Sequence, residues 1–201
     1  MMKVGLTGSI AVGKSYVCEV LRELGCHVLD ADKTSREVVE PGTPGLKQIV
    51  ADFGKDILLP DGTLDRKKMA AIVFGDTEKR QLLNSTVHPL VIASQDNWIA
   101  TREKSDPDGI AIIDAALMIE SGGYKRFDKL IVVWCQPAIQ LKRLTLRDSL
   151  SVMDARQRID AQMSQDEKKS FADFSVDTSD GFEPTRQQTA AIVAELRSLK
   201  T

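Results

Sequence analysis

The stretch GSIAVGKSY, residues 8–16, combines glycines, a lysine and hydroxyl side chains at a spacing that suits phosphate chemistry. It fits the pattern G-x-x-x-x-G-K-[ST], with Gly8, Gly13, Lys14 and Ser15 at the defined positions. In such a loop the glycines allow successive backbone N–H groups to turn inward around an anion, the lysine reaches the β- and γ-phosphates, and the hydroxyl binds Mg²⁺. The motif therefore predicts a nucleoside triphosphate site, with Lys14 at the phosphates and Ser15 at the metal.

Three aspartates lie where predicted strands end, and each is a candidate for metal or proton chemistry. Asp114 ends the apolar run IAIID, as a carboxylate does when it approaches the Mg²⁺ of a phosphate loop. Asp30 and Asp32 lie in VLDAD, after a second short strand, and strand alternation would place both on one side. One of this pair could accept a proton from an attacking hydroxyl. Helix capping is the alternative role for these carboxylates.

Four arginines lie in a charged helix predicted over residues 140–162. Arg143 and Arg147 are four residues apart and share a helical face, and with Arg156 and Arg158 they form a cationic cluster. Such a cluster can close over phosphates and neutralise the charge that develops during phosphoryl transfer. A solvated helix with arginine–aspartate pairs is the alternative.

The elements around the loop are those that a phosphate site requires. Residues 2–6 form a short apolar strand that leads into the loop, and residues 15–24 have helical spacing before Gly25 ends the helix. The runs IAIID and LIVVW have no polar alternation, which is typical of parallel strands buried on both faces. We predict an α/β fold of the P-loop NTPase type, a doubly wound parallel sheet with helices on both faces.

The segment between the second strand and IAIID is too long for a single crossover, because it shows helical patterns and turns but no core strand. We predict a helical substrate lobe over residues 32–102, inserted into a nucleotide-binding core of residues 1–31 and 103–201. An arginine-rich lid over residues 138–165 belongs to that core. Pro89 falls inside a long helical pattern of the lobe and is expected to kink it or divide it in two.

Composition and charge exclude several classes of protein. The chain has 201 residues, a formal net charge of −2 and a pI near 5.8, so no overall positive field attracts nucleic acid or an anionic membrane. No stretch approaches the ~20 apolar residues of a membrane helix, and the first apolar run is too short for a secretory signal. The three cysteines form no C-x-x-C pair and suit a reducing compartment as buried thiols. We expect a cytoplasmic protein.

The chain resembles the dephospho-CoA kinase family nearly from end to end. The resemblance begins at GLTGSIAVGKS and continues through VLDADKTSREVVEPGTPG, GTLDRKKMAAIVF and LNSTVHPLV. The blocks LMIE, QLKRLTLRD and RIDAQ follow in the family's order, together with an Ala-Asp pair at 172 and 173. A phosphate loop alone does not account for these additional blocks, so the resemblance is to the family and not only to its loop.

The resemblance implies transfer of the ATP γ-phosphate to the ribose 3′-hydroxyl of dephospho-CoA, with Mg²⁺, in the last step of coenzyme A biosynthesis. It implies that Asp32 is the general base, that Arg147 is the lid arginine at the phosphates, and that the 32–102 insertion holds the substrate. The substrate-lobe blocks contain Arg36, Arg66 and His88. The residues that the resemblance places around ATP are Thr7, Gly8, Ser9, Ala11, Val12, Gly13, Lys14, Ser15, Tyr16 and the lid residue Arg143.

Several positions depart from the family's loop, which usually reads G-G-I-G-S-G-K-[ST]-T. Ser9, Ala11, Val12 and Tyr16 replace its second glycine, third glycine, serine and final threonine. Ala11 and Val12 narrow the backbone freedom of the loop but remove no phosphate ligand of the minimal motif. Ala116 stands where the family has a proline before its L-L-x-E block.

Two other functions share part of this pattern. Another P-loop small-molecule kinase, such as a nucleoside monophosphate kinase, also combines a phosphate loop, a helical insertion and an arginine lid. A nonenzymatic nucleotide switch would bind nucleotide without an acceptor. The sequence lacks the N-K-x-D base-reading motif of a GTP switch, which counts against the second alternative.

Overall fold

The fold is built on a parallel sheet, which a computed structural model describes together with the rest of residues 1–199. The described strands are β1 (Met2–Gly8), β2 (His27–Asp30), β3 (Ile110–Asp114), β4 (Lys129–Trp134) and β5 (Phe174–Asp177). They lie in the order β2-β3-β1-β4-β5, and all of their pairings are parallel. Leu6 of β1 lies opposite Asp114 of β3, so the phosphate loop and Asp114 leave the sheet at the same edge. The predicted α/β fold is confirmed.

The central strands are buried on both faces because helices cover them. Consecutive residues of β3 and β4 are all buried apart from their ends, as the absence of polar alternation predicts. Val17 and Leu21 share a hydrophobic cluster with Val4, Leu6 and Leu196. The described α-helices are α1 (Lys14–Glu23), α2 (Ala31–Glu37), α3 (Pro44–Phe53), α4 (Arg66–Val73), α5 (Thr77–Ser105), α6 (Pro137–Asp148), α7 (Val152–Asp160), α8 (Gln165–Lys169) and α9 (Phe182–Ser198). Within residues 1–199 no helix has the length and apolar character needed to cross a membrane.

The contacts divide the chain into two compact units. One unit consists of Met1–Asp30 and the chain from Arg102 onward, and it contains the whole sheet. The other unit is Ala31–Thr101 and is helical, with a short 3₁₀ turn at Lys55–Ile57. The second unit has its own hydrophobic cluster, whose fully enclosed members are Val39, Ile49, Ile57 and Met69.

Pro89 does not divide the helix in which it lies, so that part of the prediction is wrong. α5 is continuous over Thr77–Ser105 and carries the proline in its interior. Proline removes one backbone donor, which leaves the carbonyl of Ser85 without its usual helical partner. The turns on either side of Pro89 continue the same helix, so the loss of this one bond is tolerated.

The predicted charged helix over residues 140–162 is two helices in the structure. α6 ends at Asp148, where Ser149 adopts a left-handed conformation with φ of 52°. Ser151 then caps α7 by accepting a hydrogen bond from the N–H of Asp154. The polar side chains on both sides concealed this break from a reading of charge and periodicity alone. The short edge strand β5 was also not predicted, because four residues between two turns give too little alternation to recognise.

Candidate active site

The loop between β1 and α1 has the backbone of an anion-binding turn. Ala11 and Gly13 have φ of 61° and 87°, in the left-handed region that favours glycine. A Cβ atom at Gly8 would lie 2.5 Å from the carbonyl oxygen of Val133, so only glycine fits where the loop leaves the sheet. The first turn of α1 has no acidic residue, and Gly13 provides no side-chain cap. Neither an acidic side chain nor a side-chain cap therefore competes with an anion at the start of α1.

A cavity of about 810 Å³ lies over this loop. The predicted ATP-site residues that line it are Gly8, Ser9, Ala11, Val12, Gly13, Lys14, Ser15, Arg143 and Arg147. Sequence reasoning did not single out the further lining residues Ile10, Ala116, Leu146 and Gln162 as ligand-site residues. The block RIDAQ was the one signal for Gln162, since it carried the family resemblance.

Thr7 and Tyr16 are not among the described lining residues. Thr7 is fully buried, and its hydroxyl donates to the carbonyl oxygen of Ala116 over 3.2 Å. The Tyr16 ring packs edge-on against Phe182, with 4.7 Å between the ring centroids. These two side chains support the loop from outside the cavity lining.

Lys14, which lines the cavity, forms an ion pair with Asp114, which is not among the described lining residues. The lysine ammonium donates to one carboxylate oxygen of Asp114, and the Cys18 thiol lies 3.3 Å from the other, within the range of a weak S–H donor. Burial raises the pKa of the Cys18 thiol above its usual range, and the Asp114 charge raises it further. Cys18 therefore stays protonated and serves Asp114 as a neutral donor. Cys18, Cys26 and Cys135 are buried thiols, as predicted, and none of the three forms a disulfide.

The donor set at the loop fits a magnesium ion bound with nucleotide phosphates. Mg²⁺ is usually held by one or two protein oxygens together with phosphate oxygens and waters. The Ser15 side chain is exposed and directly follows Lys14, whose partner is the Asp114 carboxylate. No cluster of three or more histidine, cysteine or acidic residues suited to a metal occurs within residues 1–199. Ser15 and Asp114 thus offer the few oxygen donors that a metal bound with nucleotide phosphates would need.

The lid arginines lie on two helices, with Arg143 and Arg147 on α6 and Arg156 and Arg158 on α7. Arg143 donates to the hydroxyl and the carbonyl oxygen of Thr178, over 2.8 and 2.7 Å. Arg147 and Arg158 both pair with Asp148, over 2.8 and 3.1 Å. These hydrogen bonds raise the pKa of Arg147 and lower the pKa of Asp148. The turn at Ser149 places Arg158 on α7, yet Asp148 brings it together with Arg147 at the end of α6.

Thr178 is a second residue that sequence reasoning missed. Its hydroxyl contacts the carbonyl oxygen of Val12 over 2.6 Å as well as the Arg143 guanidinium. A Cβ atom at Gly13 would lie 3.2 Å from the same hydroxyl. Thr178 thus connects the phosphate loop to α6, and no local motif marked it, because it directly follows the unpredicted strand β5.

The helical unit contains the other predicted site residues. Asp32 lies in the first turn of α2, whereas Asp30 ends β2, so the expectation that strand alternation places both on one side is wrong. Arg66 donates to the carbonyl oxygen of Arg36 over 3.3 Å, and its guanidinium lies 3.6 Å from the Glu40 carboxylate. His88 is exposed on α5. Nothing in the geometry of this unit alone gathers these side chains around one ligand.

The comparisons with known proteins agree on one family. The family model described as dephospho-CoA kinase matches residues 2–183. The dephospho-CoA kinase of Listeria monocytogenes serotype 4b is 44% identical over 192 residues, which are 94% of each chain. That of Leifsonia xyli is 41% identical over 197 residues, covering 98% of this chain and all of its own. The structure of dephospho-CoA kinase from Campylobacter jejuni superposes with a TM-score of 0.73 at 28% identity, over 99% of this chain and 98% of that one.

Proposed function

The chain belongs to the dephospho-CoA kinase family, and on that premise we propose that it transfers the γ-phosphate of ATP to the ribose 3′-hydroxyl of dephospho-CoA. The observation that carries the proposal is the cavity over the phosphate loop, whose lining includes Lys14, the partner of Asp114, and two lid arginines. This arrangement suits phosphoryl transfer, in which positioning and charge stabilisation provide most of the rate enhancement.

The loop and its lysine hold the ATP phosphates in this mechanism. The backbone N–H groups at the start of α1 face the anion, and Lys14 turns from Asp114 to the β- and γ-phosphates. Mg²⁺, when bound through Ser15 and Asp114, supplies charge neutralisation at the phosphate oxygens. Arg147 neutralises the charge on the transferred group, while Arg143 is held by Thr178 beside the loop.

Asp32 is the residue that we assign as general base. The 3′-oxygen attacks the γ-phosphorus, the bond to the bridging oxygen of ADP breaks, and the hydroxyl proton passes to the Asp32 carboxylate. Its place two residues after the end of β2 supports this role, because ligands of open parallel sheets bind at the carboxyl ends of strands. We assign the helical unit to dephospho-CoA binding, with Arg36, Arg66 and His88 as its candidate contacts, and residues 138–165 to the lid.

A cytoplasmic location is part of the same proposal. Its support is that the three cysteines are buried thiols outside any disulfide, which suits a reducing compartment.

The test of the proposed reaction is an acceptor panel. ATP turnover should require dephospho-CoA and should be at background with nucleoside monophosphates. Preference for a nucleoside monophosphate would instead assign the chain to the related group of kinases, and nucleotide binding without acceptor-dependent turnover would make it a nonenzymatic binding protein.

The test of the base is the variant Asp32→Asn, with Asp56→Asn as a control that removes an exposed carboxylate from the same unit. We expect Asp32→Asn to lower kcat by roughly 10²- to 10⁴-fold while ATP affinity changes less than twofold. Near-normal turnover of Asp32→Asn would remove this residue from the base role.

A further inference from the structure

We propose that three glutamines, Gln140, Gln162 and Gln165, are positioning residues that hold the tip of the phosphate loop at Ile10. This inference rests on the proposed function in one respect, that the loop binds the phosphates of an adenine nucleotide. It adds residues that act on those phosphates through the backbone of the loop and not by contact with the reacting atoms.

Both backbone polar groups of Ile10 are bound by glutamine side chains. The N–H of Ile10 donates to Oε1 of Gln162 over 2.8 Å, and Nε2 of Gln140 donates to the Ile10 carbonyl oxygen over 2.8 Å. Ile10 lies in the middle of the loop and lines the cavity. Its N–H group is therefore directed toward Gln162, and the tip of the loop is held on two sides.

Gln140 is itself held by a second amide. Nε2 of Gln165 donates to Oε1 of Gln140 over 2.8 Å, and the N–H of Cys135 donates to Oε1 of Gln165 over 2.9 Å. The Cys135 N–H can only donate and the Ile10 carbonyl can only accept, so the two ends determine the orientation of both amides. The result is a directed relay from the end of β4 through two side chains to the loop tip.

Burial makes this relay sensitive to substitution. Gln140 is 2% exposed, so a polar atom that loses its partner there has no access to water. The next loop residue, Ala11, has φ of 61°, a conformation that an alanine adopts only when its surroundings impose it. The relay and Gln162 supply that constraint at the residue immediately before Ala11.

The direct test compares ADP with AMP, because the loop holds the β-phosphate that AMP lacks. Gln162 is only partly buried, so Gln162→Ala should fold normally. We expect this variant to weaken MgADP binding about tenfold in calorimetric titrations while AMP affinity stays within twofold. Gln187→Ala is the matched control, since it truncates an exposed glutamine of α9, outside the lid, and should leave both affinities unchanged. Unchanged ADP affinity, or an equal loss for both ligands, would overturn the proposal.

The relay is tested separately by Gln140→Glu, which is nearly isosteric but places an oxygen against the Ile10 carbonyl. A loss of MgADP affinity of at least tenfold is expected, with AMP affinity again retained.

A double-mutant cycle measures the MgADP affinity of Gln140→Ala, of Gln165→Ala and of the variant that carries both substitutions. Gln165 reaches the loop only through Gln140 in the relay, so the combined loss of ADP affinity should be close to that of Gln140→Ala alone. Additive losses would show that the two amides act independently and would overturn the relay. ADP binding needs no acceptor, so a failed acceptor assay leaves these measurements interpretable.

Discussion

The Lys14–Asp114 pair is the feature on which the proposed chemistry depends at the scale of single residues. The two side chains are 19% and 13% exposed, so their attraction is only partly screened by water. A phosphate anion would compete with Asp114 for the lysine, and a bound cation would compete with the lysine for Asp114. The pair thus keeps both groups at the loop in alignment for a metal-bound nucleotide.

Asp114→Asn should therefore lower kcat by roughly 10- to 100-fold and raise the Mg²⁺ concentration needed for half-maximal activity. The amide retains a carbonyl oxygen but loses the charge that attracts the cation. The measurement is turnover as a function of Mg²⁺ concentration at saturating ATP. Glu19→Gln removes an exposed carboxylate from α1 and should behave like the wild type. An unchanged magnesium requirement in Asp114→Asn would exclude Asp114 as a metal ligand.

At the scale of elements, the short helix α8 supports the site from two of its positions. Gln165 donates a hydrogen bond to Gln140, which in turn donates to Ile10 of the phosphate loop. Lys168 is fully buried, and its ammonium lies 2.8 Å from both the Ala116 carbonyl oxygen and the Glu120 carboxylate. The same carbonyl of Ala116 accepts the Thr7 hydroxyl, so α8 holds the segment that follows β3. A five-residue helix has little stability of its own, which makes these contacts and its capping box necessary.

Lys168→Ala should destabilise the fold by about 3 kcal/mol, because it leaves the Glu120 carboxylate without its cation and creates a cavity. Lys168→Met should cost less, since it retains most of the buried side-chain volume. Urea denaturation followed by circular dichroism measures both variants. Lys142→Met, at an exposed position of α6, should lie within about 0.5 kcal/mol of the wild type. Equal stability of Lys168→Ala and the wild type would contradict this role.

The capping box of α8 predicts a pH dependence. Hydrogen bonds from the hydroxyl and backbone N–H of Ser164 lower the pKa of Glu167. A lowered pKa in the folded state stabilises the fold above the ordinary glutamate pKa of about 4.3, and this contribution is lost as the pH falls through the folded-state value. Wild type should therefore exceed Glu167→Gln in stability at pH 6, and the difference should shrink as the pH falls below the ordinary glutamate pKa. Denaturation curves of both proteins at several pH values measure this stability difference. A difference that grows on acidification would contradict the prediction.

At the scale of the whole molecule, the nucleotide should stabilise the unit that contains the sheet. A ligand that binds only the folded state adds about 2.7 kcal/mol to the unfolding free energy at a concentration 100 times its Kd. MgADP should therefore raise Tm by several degrees for a chain of this size. Lys14→Ala should lose most of this shift in differential scanning calorimetry. Lys47→Ala, an exposed lysine of the helical unit, should keep it. A full shift in Lys14→Ala would place the nucleotide elsewhere.

The α/β class was predictable because it follows from short-range patterns. IAIID and LIVVW are apolar without alternation, and both form buried parallel strands. Pro89 does not divide α5, and the break at Ser149 was not predicted, because helix continuity depends on the sum of neighbouring hydrogen bonds and not on one residue. The chain's family was predictable for a different reason, since several separate blocks occur in one order along it.

The sequence by itself determined the phosphate loop and the elements that flank it, because the backbone of such a turn depends on residue types within about ten consecutive positions. Only the tertiary structure decided what holds that loop. Gln140 and Gln162 meet Ile10 from 130 and 152 residues away, and Arg143 meets Thr178 across 35 residues. Glutamine and threonine are common surface residues, and nothing in their local sequence distinguishes a solvated side chain from a buried partner. Packing of α8 against β4 brings Gln165 to Gln140, and the burial of Gln140 removes the water that would otherwise compete for its amide.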